Sequence, residues 1–191
     1  MHEVAAWFRP YFAMLASADD WIRHLRAVAG PGTEPDLGRA PPCVLAGGGP
    51  DEVLWPAALP GAGPRLRAEA DRLLAARPGA SLADVAGFLA LEVWTECELS
   101  ALHALSRLVR IDPTPARAAR LEELRRWHLE HTQPDNATNR PWALHVFARA
   151  RDPESALYAE TLLHNVRASD ARNEPLSRWI LLDAARELGY P

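Results

Sequence analysis

"TPARAARLEELRRWHLEH", residues 114–131, decides the fold class. Thr114 can accept a free backbone N–H, and Pro115 suits a first helical position, where a missing N–H costs nothing. Behind this start, Leu121, Leu124, His128 and His131 recur at spacings of three and four, which is one face of a helix. Glu122, Glu123, Arg126 and Glu130 make the charged face. The passage predicts a helix whose apolar stripe ends in two imidazoles.

The same punctuation runs outward in both directions. Upstream, helices are expected at about 64–77 and 82–109, the latter opened by Ser81 and Asp84 in the manner of a capping box. Downstream, Asn139-Arg140-Pro141, Asp152-Pro153 and Asn173-Glu174-Pro175 predict starts for helices at 140–150, 153–167 and 174–188. Apolar residues at helical spacing fill 3–16 and 18–28, with Ser17 as a cap between them, so residues 1–29 read as an N-terminal helical hairpin. Residues 30–62 concentrate glycine and proline and show no sustained period. They read as a long irregular crossing with one short helix near 51–58, of the kind that is usually functional or mobile. No segment alternates with the period of two that a half-buried strand needs. The expectation is an all-α, single-domain helical bundle or a short stack of helical hairpins over 1–191, with the main bundle at 63–191. Asn139-x-Pro141 recurs as Asn173-x-Pro175 at a tetratricopeptide period, but helix 140–150 is too short and that motif's small residues are missing.

Composition narrows the chemistry. The chain has 191 residues, 48% of them apolar and 24% charged, enough to bury a core without staples. A net charge of −4, with acids and bases interspersed, provides no footprint for nucleic acid and no polybasic arm for a membrane surface. All 21 basic residues are arginine. Without lysine, the chain itself can form no Schiff base, no pyridoxal phosphate linkage and no phosphate-loop lysine contact. Cys43 and Cys97 have no metal-ligand spacing and imply no disulfide framework. "MHEVAAWFRPYF" lacks the features of a signal peptide, and the most apolar run is broken by Asp84 and Glu92, so a cytoplasmic location is expected.

Two rows of residues could carry function. His128, His131, Asp135, Arg140 and His145 lie around the turn "HTQPDNATNRPWALH", residues 131–145, and are expected to share one surface cleft. Neutral imidazoles with a carboxylate suit a metal or acid–base role, and Arg140 near a helix start suits an anionic ligand. The architectural reading has the histidines cap helix carbonyls and Asn139 cap the next helix. The second row, Glu92, Glu96 and His103, falls on the expected core stripe of Val85, Phe88, Leu89 and Leu99. Carboxylates buried there would need an arginine, a histidine or a divalent metal such as zinc or iron. Seven tryptophans read as core, or as an aromatic surface for a partner. No Gly-x-Ser-x-Gly elbow or zinc-protease signature is found. The leading expectation is a non-catalytic helical module that binds another protein or a small anionic ligand. The alternative is a small metal-dependent or carboxylate/histidine acid–base enzyme with its site inside the bundle.

Overall fold

In the computed structural model, which describes residues 17–41, 49–132, 138–150 and 152–190, Thr114 caps its helix as expected. Its hydroxyl accepts the Arg117 N–H at 3.2 Å, and Pro115 opens the first turn. Ser17 accepts from the Asp20 N–H at 3.1 Å, and Asp152 from the Ser155 N–H at 2.8 Å. The described residues form eight α-helices and no strand: α1 (Ala18–Ala29), α2 (Pro50–Ala57), α3 (Pro64–Ala76), α4 (Leu91–Ile111), α5 (Pro115–His131), α6 (Leu144–Arg149), α7 (Pro153–Ala168) and α8 (Pro175–Leu188). The class is all-α. The expected helix at 3–16 lies outside the described residues.

Helix α4 is the axis of the molecule. From Cys97 to Leu108 every residue is buried, including Ser100, His103, Ser106 and Arg107. Helices α2, α5 and α6 pack against α4, while α1 lies along α8. One core cluster joins Trp21 and Leu25 of α1, Trp55 of α2, Leu102 and Leu105 of α4, Phe147 of α6 and Ile180 of α8. The described parts of the crossing are tied down by arginine, because loop carbonyls near a core need donors. Arg178 reaches the Gly32 and Thr33 carbonyls at 3.0 and 3.2 Å. The Leu37 carbonyl receives Arg107 at 2.7 Å and Arg186 at 2.9 Å.

Two helix boundaries differ from expectation. Residues 82–90 are not the first turns of α4. They form a loop with one 3-10 turn, Val85–Gly87, and α4 starts at Leu91. The cause is Glu98, whose carboxylate takes the Leu82 and Ala83 N–H groups and so draws the loop back along α4. Asp84 caps only the short turn, and the Ser81 hydroxyl donates to the Ala83 carbonyl at 2.8 Å. Likewise α6 begins at Leu144, after Ala143 in the left-handed region at φ 55°, and not near Arg140. Asn139 is exposed. Thr138 supplies the turn's side-chain bond, to the Arg140 N–H at 3.0 Å. Trp142, just after this turn, is buried, with 1% of its surface exposed.

Candidate functional site

The turn at 131–145 does not gather its expected residues into one cleft. Asp135 lies outside the described residues. His131 is exposed at the end of α5, with its ring stacked on Trp127 at 4.6 Å. His128 is fully buried, as is His145, but the two face different partners. Arg140 spans the surface between Glu96 and Glu174. The second row is dispersed as well. Glu92 is exposed at the start of α4, contrary to expectation, because the helix begins there and the stripe of Val85 and Phe88 does not continue into it. Glu96 meets Arg140 and the Trp142 indole N–H, the latter at 3.2 Å. His103 meets the opposite part of the same indole, ring to ring at 5.7 Å. Among the described residues, no three His, Cys, Asp or Glu side chains are grouped as metal ligands.

His103 belongs to a buried network that includes Asp183, a residue the motif search did not single out. The Ala143 N–H donates to His103 Nδ1 at 3.2 Å, so the proton sits on Nε2 and is given to Asp183 Oδ2 at 3.1 Å. Asp183 also faces Arg107 at 3.6 Å and pairs with Arg186. Burial alone would raise the Asp183 carboxyl, but the His103 bond and the charges of Arg186 and Arg107 outweigh it and hold it low. Trp55, Trp142 and Trp179 surround the imidazole. The His145 ring lies 4.3 Å from it, and among the described residues neither His145 nitrogen has a hydrogen-bond partner. Burial above all, with the positive charge of Arg149 adding to it, pushes His145 well below the ordinary histidine range and keeps it neutral. His103 and Asp183 are both 0% exposed. An apolar run broken by one acid, "WILLDAA", was the signal for Asp183.

A second buried pair holds α4 to α5. Besides its two loop amides, Glu98 faces His128 Nε2 at 3.8 Å. Thr132 donates to the His128 carbonyl at 2.8 Å, so its oxygen accepts from the Tyr158 hydroxyl at 2.6 Å and from His128 Nδ1 at 3.3 Å. His128 is therefore the Nδ1–H tautomer, and its Nε2 lone pair points toward a carboxylate. Burial raises the Glu98 carboxyl to about 7 against its two amide bonds. Burial, and then the charge of His131, lower His128 to about 3.

Outside this pair the surface changes character. Four of the exposed large apolar side chains fall within nine residues: Val85, Leu89, Leu91 and Val93. Leu89 is fully exposed at 108% and Leu91 is 60% exposed. The segment bearing them is pinned at its base. Glu98 holds the Leu82 and Ala83 amides, the Trp94 indole donates to the Ala83 carbonyl at 3.2 Å, and the Phe88 N–H closes on Val85 at 3.1 Å. The Trp94 ring meets Trp127 edge-on at 5.9 Å, which joins the strip to the end of α5. No helix of the described residues is long and apolar enough to cross a membrane. Compared with protein-family models, curated proteins and solved structures, the chain matches none.

Proposed function

We propose that the protein is a non-catalytic module that docks a partner protein along residues 85–93. One observation carries this reading: Leu89 stands in solvent on a loop whose base is fixed by the buried Glu98, and Leu91 stands in solvent beside it on the first turn of α4. Covering a leucine contributes roughly 1.5–3 kcal/mol, and apolar groups clustered outside a fold tend to mark interaction sites. A segment already ordered loses less conformational freedom when a partner arrives. The occupant is a second protein with an apolar face. Its test places a photo-reactive p-benzoylphenylalanine at Leu89 in cells that produce the protein. A cross-link to a distinct protein supports the reading, provided that the purified partner loses about tenfold or more in affinity for Leu89→Glu and little for Leu157→Glu, an exposed control on α7. Cross-links only to a second copy of the chain, or only to its own residues 1–16, overturn it.

The acid–base reading has the His103–Asp183 pair in its favour, since a carboxylate that orients an imidazole is a common catalytic arrangement. Both groups are walled by tryptophan and fully buried, which favours an internal brace.

A further inference from the structure

We infer that the docking segment of the partner is basic as well as apolar, with a cationic side chain seated in the groove beside the strip; this rests on the reading of residues 85–93 as the docking site. The groove holds about 470 Å³ and is lined by three carboxylates, Glu122, Glu123 and Glu130, against one guanidinium, Arg126, with Trp127, His131 and Gly79. Gly79 forms one rim, held by Glu123 through its N–H, and the chain runs from there directly into the strip. At the strip's other end Trp94 meets Trp127, whose face is stacked on His131. The Trp94–Trp127 contact thus places groove and strip side by side.

The charge of that surface selects the partner. From Pro78 to Ser106 the chain contains no arginine, while Asp84 and Glu92 are exposed on either side of Leu89. In the groove, Glu122 is paired with Arg125 and Arg126, and Glu123 with Arg120. Glu130 is exposed and has no ion pair among the described residues. A guanidinium entering here meets a free carboxylate and an indole–imidazole stack, the two kinds of group that favour a planar cation. An acidic segment would meet Asp84, Glu92 and Glu130 as like charges, which costs affinity and excludes such partners.

The experiment is a calorimetric titration of the full chain with two synthetic amphipathic helical peptides. Each presents a leucine stripe flanked on one side by arginines in the first peptide and by citrullines, their neutral near-isosteres, in the second. The expected result is binding of the arginine peptide about tenfold tighter or more. That advantage should shrink in Glu130→Gln and at high salt, and Leu89→Glu should weaken both peptides. Equal affinity for the two peptides, with Leu89→Glu still weakening both, overturns the inference and leaves the strip intact as a docking site. An affinity for the arginine peptide undiminished by Leu89→Glu overturns the strip and, with it, the joint surface. Binding of neither peptide overturns both.

Discussion

Two histidine–carboxylate pairs are buried against α4, and they hold their protons in opposite ways. His103 carries its proton on Nε2 and gives it to Asp183; His128 carries its proton on Nδ1 and turns an unprotonated Nε2 toward Glu98. Arginine accounts for the difference. Asp183 has Arg107 and Arg186 beside it and is held below its ordinary range, whereas Glu98 leans mainly on two backbone amides and is raised to about 7. The same two residue types therefore give a fixed brace in one place and a titrating latch in the other. The latch is the one that holds the loop bearing Leu89.

The largest effect is expected at the brace. Asp183→Ala removes the acceptor of His103 and the countercharge of Arg107, which is 1% exposed. Leaving a buried cation unpaired costs about 3–5 kcal/mol, measured by urea unfolding. Asp183→Asn, which keeps an oxygen for His103, should cost less. A loss below about 1 kcal/mol in the alanine variant would mean that the pair is not a brace at all.

Much of this frame was legible before the fold was known, and what was missed has one cause. Thr114, Asp152 and Ser17 announced their helices because a cap is a local event, decided within four residues. The row Glu92–Glu96–His103 misled because its geometry assumed a helix running unbroken from 82. That helix is interrupted by Glu98, which bonds amides sixteen and fifteen residues upstream. Had the loop been foreseen, Glu98 would have replaced Glu92 as the buried carboxylate. The turn at 131–145 failed for a similar reason: His128 and His145 point into two separate interiors, and only tertiary packing decides which. Arg140 with Glu96 fits the expected arginine pairing of a half-buried carboxylate.

The next effect concerns pH and has opposite signs at the two pairs. Asp183, held low, contributes stability above the ordinary aspartate value that is lost as pH falls through its depressed one. Glu98 is raised, so the folded chain binds its proton more tightly than the unfolded chain does. Its contribution is full below about 4.5 and is lost as pH rises to about 7. Glu98→Gln keeps an oxygen for the Ala83 amide and offers His128 Nε2 a donor with no charge to bury, but turns that donor toward the Leu82 N–H, whose bond is lost. The variant should therefore gain on the wild type between these pH values, by on the order of 1–3 kcal/mol, from a lower start set by the lost Leu82 bond. Paired urea titrations across that range measure this difference. A constant offset between the two chains would show that Glu98 does not titrate in the window.

The smallest effect tests the tautomer on which the contrast rests. Tyr158 sits at the far end of the second pair, its hydroxyl 2.6 Å from Thr132 and raised to about 12 by burial. Tyr158→Phe removes one donor to the Thr132 oxygen while Thr132 keeps its own bond to the His128 carbonyl. Loss of one neutral hydrogen bond costs about 1 kcal/mol. His128 Nδ1 then becomes the main donor to that oxygen, so its N–H should be retained and its bond strengthened. Long-range proton–nitrogen NMR reads both sites directly: a protonated Nδ1 at His128 in wild type and variant, and a protonated Nε2 at His103 throughout. Finding His128 protonated on Nε2 would place a donor toward Glu98, satisfy that carboxylate directly, and erase the distinction between brace and latch.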